Sequence, residues 1–267
     1  MGAVIVTGGT FGIGKAITLI LAKRGFDVVA FGIESAQPSS VAENAIAPLQ
    51  AELTQQGLAA DILEADVSKA EDVRRIVEFA LKKHGAIEGL VNNAAIGPLG
   101  SVLDTSEELW DQIIDVNLKG TYLCCKEVLP QMIKQGGGSI VNIGSGSGWG
   151  KPNMAAYSAS KGGIFALSAA LAYDHIQDGV RVNTVVPGGG GMVTGMSLGR
   201  RDGDVELIKN GAALNAAGRP TEPEDVANAV VFLLSKEAAA ISGTVIDVGC
   251  FASQGGWQGG PVPPKKN

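Results

Sequence analysis

The sequence predicts an α/β fold, one domain built on a doubly wound, seven-stranded parallel sheet with helices on both faces. Three observations predict it. Short runs rich in Val and Ile, such as Val4-Ile5-Val6 and Ile140-Val141, lack polar alternation, which is the pattern of strands covered on both faces. These runs alternate with stretches of helical period, and that order implies right-handed crossovers between parallel strands. The first run also ends in a glycine-rich turn, Thr7-Gly8-Gly9-Thr10-Phe11-Gly12-Ile13-Gly14, which leads directly into an apolar helix.

In chain order, apolar β-rich segments place strands at residues 3–7, 27–31, 62–65, 89–92, 139–143, 181–186 and 244–248. Helical periodicity between them places helices at 13–24, 41–56, 71–84, 106–134, 155–177 and 224–235. The fourth helix opens on Thr105-Ser106-Glu107-Glu108, which reads as a capping box. There is no internal repeat and no linker, so residues 1–254 form the expected domain. The stretch 187–215 is too long for an ordinary connection and reads as a lid or binding loop. The Gly- and Pro-rich tail 255–267 carries no motif and is expected to be mobile.

Composition narrows the function classes. With 267 residues, 45% of them hydrophobic, the chain can bury a large core. A mean hydropathy of +0.20 hides no apolar run long enough to cross a bilayer. A formal charge of -6 and a pI near 5.0 argue against nucleic acid or an anionic membrane as partner. Because Ala3 to Val6 already reads as a buried strand, no signal peptide is expected, and Val6 stands where a Gly2 lipidation signal needs Ser or Thr. Three cysteines (Cys124, Cys125, Cys250) and two histidines (His84, His175) show no metal-ligand spacing. The cysteines read as small core hydrophobes in a reducing cytoplasm, and no metal site is expected.

The turn from Thr7 to Gly14 is the first candidate site. Its glycines allow a tight turn and let the backbone approach a pyrophosphate resting on the next helix N-terminus. Taken alone, such a turn equally serves any backbone needing positive φ. Its setting between a strand and a helix at the first crossover favours the dinucleotide reading. The spacing, Thr-Gly-x-x-x-Gly-x-Gly, resembles the short-chain dehydrogenase/reductase family, and the resemblance runs from Val4 to about Gly249. Asn92-Asn93-Ala94-Ala95 is similar to the family's Asn-Asn-Ala-Gly segment, with Ala95 in place of the last Gly; Asp66-Val67 and Pro187-Gly188 also match.

The resemblance implies a Rossmann fold and an NAD or NADP cofactor. It implies that Gly8, Thr10, Gly12, Ile13 and Gly14 form the phosphate turn, that Phe11 and Ile33 lie around the adenosine ribose with Asp66 and Val67 beside the adenine, and that Asn93 also binds the cofactor. Pro187, Gly188 and Thr194 then face the nicotinamide, with Tyr157 and Lys161 at its ribose. An acidic residue ending the second strand would accept from the ribose 2′-OH, whereas basic residues would bind a 2′-phosphate. The deciding position aligns with Gly32 and is silent, but no Lys or Arg occurs from Val28 to Leu49 and Phe11 stands where phosphate-preferring relatives carry Arg. The balance leans to NAD, with Lys15 and Ser35 as the candidate ligands of a 2′-phosphate.

The second candidate site is Tyr157-Ser158-Ala159-Ser160-Lys161. Residues four apart share a helix face, so a phenol and an ammonium can project into one cleft. A phenol with pKa about 10 is a poor base, and a nearby ammonium lowers that value. The resemblance adds Ser145, which ends the strand Ile140-Val141-Asn142-Ile143-Gly144, as the hydroxyl holding the reacting oxygen; Ser147 competes for this role. It also implies that Asn117 binds a water linking Lys161 to solvent.

Together these imply a secondary alcohol dehydrogenase or carbonyl reductase with a Ser-Tyr-Lys-Asn site: Ser145, Tyr157, Lys161 and Asn117. The segment between Ser145 and Tyr157 carries Trp149 and Met154 and offers few hydrogen-bonding groups, pointing to a bulky, largely apolar small-molecule substrate. Trp149 packed on the sheet edge or on another subunit is the plainer alternative. Three glycines, Gly189 to Gly191, displace the usual apolar residue after Pro187-Gly188. One rival function is a 3-oxoacyl-(acyl carrier protein) reductase, for which Arg200-Arg201 offers basic docking residues. Another is a nucleotide-binding regulatory protein that has lost the chemistry. Apolar surface on helices 106–134 and 155–177 implies, by family resemblance, a homodimer or homotetramer.

Overall fold

The computed structural model describes residues 2–34, 45–188, 192–210 and 219–249. The chain runs β1 (Ala3–Thr7), α1 (Gly12–Lys23), β2 (Asp27–Gly32), α2 (Ile46–Gln55), β3 (Asp61–Glu64), α3 (Ala70–His84) and β4 (Ile87–Asn92). It continues through α4 (Glu107–Ile114), a π-helical turn (Asp115–Lys119), α5 (Gly120–Lys134), β5 (Gly138–Ile143), a 3₁₀ turn (Gly146–Trp149) and α6 (Ala155–Asp174). It ends with β6 (Val180–Pro187), α7 (Gly195–Gly199), α8 (Val205–Asn210), α9 (Pro223–Leu234) and β7 (Val245–Val248).

The seven strands form one parallel sheet in the order β3-β2-β1-β4-β5-β6-β7. Side chains alternate across it and feed two cores. Val4 and Val6 pack toward Ile17 and Leu21 of α1, Leu49 of α2 and Val230 of α9. Ala3 and Ile5 pack toward Val73 and Ile76 of α3 and Val128 and Met132 of α5. Each fully buried Val, Ile or Leu contributes about 1.5–3 kcal/mol, which is why the strands tolerate no polar alternation. The order reverses between β1 and β4, so their carboxyl ends diverge and open a crevice, where open α/β sheets bind ligands.

The structure corrects several expected boundaries. The helix expected at 106–134 is broken by the π-helical turn, at whose centre Asn117 is fully buried. An extra residue per turn re-aims side chains, and here the Asn117 amide meets partners outside its own helix. The cap of α4 is Ser106, which accepts from Leu109 N–H at 3.2 Å. This is one residue later than the expected box, and Leu109 has no carboxylate to return the bond. Helix α6 ends at Asp174 rather than 177, because His175 and Asp178 bond at 2.8 Å and Gly179 turns the chain at φ 72°.

Helix α2 begins at Ile46, and the part expected at 41–44 lies outside the described residues. The 187–215 stretch, expected to be a loop, contains α7 and α8; Thr194 and Ser197 cap α7 reciprocally. Gly189 to Gly191 and the tail 255–267 are outside the described residues. Cys124 and Cys125 are buried and free. Burial pushes the Cys125 thiol up to about 12 and the Cys124 thiol well above its usual value, as inert core groups; Cys250 lies outside the described residues. Among the described residues no helix is long and apolar enough to cross a membrane, and no His/Cys/Asp/Glu group could hold a metal.

Candidate active site

A cleft of about 1480 Å³ opens over the carboxyl ends of the strands. Its first wall is the turn from β1 into α1. Gly8 (φ 58°) and Gly12 (φ 53°) occupy left-handed backbone. A Cβ on Gly14 would stand 2.0 Å from the Gly8 carbonyl oxygen, so only glycine closes the turn. The N-cap of α1 is Phe11, whose side chain caps nothing, and no acidic residue lies in the first turn. The first N–H groups of α1 therefore face the cleft without a side-chain acceptor, the arrangement that favours a phosphate.

This turn is clamped to the end of β4. Thr7 Oγ1 accepts from the N–H groups of Asn93 (3.0 Å) and Ala94 (2.9 Å). In return the Asn93 amide donates to the carbonyls of Thr7 (3.1 Å) and Gly8 (3.0 Å). Asn93 thus lines the cleft with its amide already committed to shaping the turn. Thr7 was missed as a site-forming residue; a hydroxyl ending an otherwise apolar strand was its signal.

The adenosine side of the cleft is lined by Ile33, Asp66 and Val67. Asp66 accepts from Ser68 N–H at 2.9 Å and from its hydroxyl at 2.7 Å. A Cβ on Gly32 would meet Thr10 Oγ1 at 2.7 Å. Lys15 does not line the cleft and pairs with Glu52 at 2.6 Å. Ser35 lies outside the described residues.

The floor and far wall carry the polar chemistry. Helix α6 is fixed to the sheet by a buried chain in which Asn92 donates to Asn142 Oδ1 and Asn142 donates to Ser168 Oγ, both at 2.8 Å. That sets its rotation so that Tyr157 and Lys161 both face the cleft. Lys161 is 2% exposed, and its ammonium donates to the Ile143 carbonyl at 2.7 Å. Burial pulls its pKa down to about 7. The Lys161 Nζ lies 5.9 Å from the Tyr157 ring centroid.

The Ser145 and Arg200 side chains both approach the Tyr157 hydroxyl. Burial raises the Tyr157 pKa, while hydrogen bonding to Ser145 and the charge and hydrogen bond of Arg200 pull it back. The expected lowering of the phenol therefore does not appear in the chain alone. Ser145 also accepts from Ser147 N–H at 3.1 Å, whereas the Ser147 hydroxyl turns to the Met154 sulfur at 3.5 Å. Trp149, half-exposed, lines the same wall with its ring 4.3 Å from Phe165.

Pro187, Gly188 and Thr194 line the cleft. Two expected residues stand behind it, Gly14 and Asn117. The Asn117 amide accepts from Ile96 N–H (2.8 Å) and donates to the Ile96 carbonyl (2.9 Å) and Ser160 Oγ (3.0 Å). It braces the β4–α4 loop against α6.

Arg200 and Arg201, expected as basic residues of the rival reading, both line the cleft. The Arg200 guanidinium lies 4.9 Å from the Tyr157 ring centroid, with Nε donating to the Gly97 carbonyl at 2.7 Å. The only signal was a basic pair in the stretch after β6.

Residues 8–250 match the family model described as enoyl-(acyl carrier protein) reductase. The chain is 38% identical over 258 residues to 2-(S)-hydroxypropyl-CoM dehydrogenase 3 of Xanthobacter autotrophicus, covering 95% of each. It is 37% identical over 247 residues to human dehydrogenase/reductase SDR family member 4, covering 92% of this chain and 85% of that one. To a 3-oxoacyl-(acyl-carrier-protein) reductase of Staphylococcus epidermidis it is 33% identical over 245 residues, covering 91% and 96%. A solved structure described as a short-chain dehydrogenase/reductase from Burkholderia xenovorans overlays with a TM-score of 0.82 at 30% identity, covering 95% of this chain and 96% of the other.

Proposed function

The chain belongs to the short-chain dehydrogenase/reductase family of oxidoreductases, and from that premise we propose that it interconverts a secondary alcohol and a ketone with a nicotinamide cofactor. The observation that carries the proposal is the convergence of Ser145, Tyr157 and Lys161 in one cleft whose other wall is the glycine-rich N-terminus of α1. The residues of that wall fit a dinucleotide: α1 N–H groups without a side-chain cap, and a tight turn that a Cβ at Gly14 would prevent. Bound nicotinamide supplies a hydride to the carbonyl carbon or takes one from the carbinol.

Ser145 and Tyr157 hold the substrate oxygen. In oxidation the Tyr157 phenolate takes the hydroxyl proton, and in reduction the Tyr157 phenol returns it. Positive charge at Lys161 favours the phenolate. With its pKa drawn to about 7, Lys161 also exchanges protons near neutrality. Asn117 contributes by holding the backbone around a water path from Lys161 to solvent.

NAD is the proposed cofactor, supported by the exposed Ile33 after Gly32 and by the engagement of Lys15 with Glu52. The substrate body is proposed to be bulky and apolar, supported by Trp149, Met154, Met192 and Met196 along the cleft. A homodimer or homotetramer is supported by exposed Trp110, Tyr122 and Tyr173 on α4, α5 and α6, and a cytoplasmic setting by the free Cys124 and Cys125. A second reading, 3-oxoacyl-(acyl carrier protein) reductase, has support in the similarity to a protein of that name. An NADH fluorescence titration with a ketone panel that includes a 3-oxoacyl thioester tests the two catalytic readings. Tyr157→Phe should lower turnover at least about 10²-fold and leave NADH binding nearly unchanged; retained turnover would refute the mechanism.

A further inference from the structure

Among the charged side chains along the cleft that the mechanism does not use, Arg200 lies against the Tyr157 ring. Arg200 follows α7 and lines the cleft beside Tyr157. Its Nε is spent on Gly97 and the guanidinium also bonds the Tyr157 side chain, yet its Nη2 is buried with no hydrogen-bond partner among the described residues. No carboxylate among the described residues pairs with it. Of the four carboxylates along the cleft, Asp66 is bound by Ser68, Glu108 by Ser106 and Asp115 by Lys119 at 3.0 Å, and Asp111 forms no ion pair with Arg200. A partly buried cation without an anion is a costly arrangement. The β4–α4 loop nonetheless makes room for it: a Cβ on Gly97 would fall 2.3 Å from Arg200 Nη2 and 2.9 Å from Tyr157 Cδ2. Glycine at this position is what allows the guanidinium to lie against the Tyr157 ring.

We propose that Arg200 is a specificity residue that recognises an oxyanion on the substrate, so that the alcohol or ketone carries a carboxylate, sulfonate or phosphate within a few bonds of its reacting carbon. This rests on the oxidoreductase reading of the same cleft. A guanidinium anchored through Nε, with Nη2 unpartnered, still has N–H groups to give to an oxyanion that reaches its end of the cleft. Its 4.9 Å distance from the Tyr157 ring centroid ties the anion to the reacting end of the molecule. The apolar body then lies along Trp149 and the methionines.

The test uses ketones of one carbon skeleton bearing a carboxylate, a sulfonate, a phosphate or a neutral methyl ester, with wild type, Arg200→Met and Arg200→Lys. In wild type, kcat/KM should favour an anionic ketone over the ester, and the preferred arm identifies the anion. Arg200→Met should reduce that preference about 10²-fold. Arg200→Lys, which keeps the charge and loses the guanidinium, should fall between. A preference that is absent in wild type, or unchanged in Arg200→Met, overturns the proposal. So does an equal loss of NADH affinity in Arg200→Met, which would assign the guanidinium to the cofactor. Equilibrium binding of a non-reducible anionic analogue gives a readout without turnover. Arg200-dependent binding in a protein that reduces no ketone would sustain the anion site while refuting the oxidoreductase reading.

Discussion

Replacing Lys161 by methionine should flatten the rise of folding stability with pH just above neutrality. In the folded, cofactor-free chain the ammonium meets only the Ile143 carbonyl and is otherwise buried, which draws its pKa to about 7. An unfolded chain keeps that proton to about pH 10.4. Between these values the unfolded state binds more protons, so stability grows as pH rises, by at most about 1.4 kcal/mol per pH unit. From about pH 7 to about pH 8.5 the integrated gain is about 1.5 kcal/mol, or roughly 3–5 °C in Tm for a chain of this size. Above about pH 8.5 the trend reverses in part. Cys124 and Cys125 stay protonated in the fold while their unfolded counterparts ionise, and stability is lost there. Urea denaturation of the cofactor-free protein at fixed concentration, across that window, reads the slope. Methionine matches the length of the lysine stem and carries no proton, so the variant should lose the slope whatever its absolute stability. Parallel curves for wild type and Lys161→Met would refute the burial argument.

Three further outcomes follow from the cleft walls. Wild type should show higher kcat/KM with NAD(H) than with NADP(H), and Ile33→Arg should move the ratio toward NADP(H); a wild-type preference for NADPH would defeat the adenosine-site reading. Trp149→Ala should raise KM for aryl and cyclic ketones far more than for small ones, and efficient turnover of polyols with those ketones inert would sink the apolar wall. Asn117→Ala removes three bonds made by a buried amide, so it should destabilise the fold by about 1–3 kcal/mol and slow turnover; an unchanged melting temperature would contradict its bracing role.

Most of the fold was legible because burial on both faces leaves few choices. Strands such as Val4-Ile5-Val6 must be apolar throughout, and a parallel sheet needs helices between its strands, so order and topology follow from pattern alone. Boundaries were less legible where tertiary partners decide them. The run 106–134 has an unbroken helical pattern, and its π-helical turn exists because the Asn117 amide finds the Ile96 backbone and Ser160, partners 21 and 43 residues away. The residues that place the turn against β4 were half-legible: Gly14 announces itself by context, but the reason is the Gly8 carbonyl, a contact no local rule supplies.

The same logic explains why the local motifs and the charge balance pointed differently. Tyr157 and Lys161 are four residues apart on one helix, so their shared face is a local property that any reader of the sequence can find. Arg200 reaches Tyr157 from 43 residues down the chain, through a bond to Gly97 that only the folded chain makes. Its sequence neighbours suggest a surface cation; its structural neighbours are a phenol ring, a carbonyl and a cleft. The effect on the chemistry is concrete. Burial drives the Tyr157 pKa upward, and Arg200 is a full positive charge that offsets this within the chain itself. An anionic substrate bound to that guanidinium would cancel the offset and raise the phenol further, favouring the protonated Tyr157 that donates to a carbonyl oxygen. With the proposed anion site, substrate recognition and proton affinity would be coupled through one side chain, by tertiary geometry rather than by any motif.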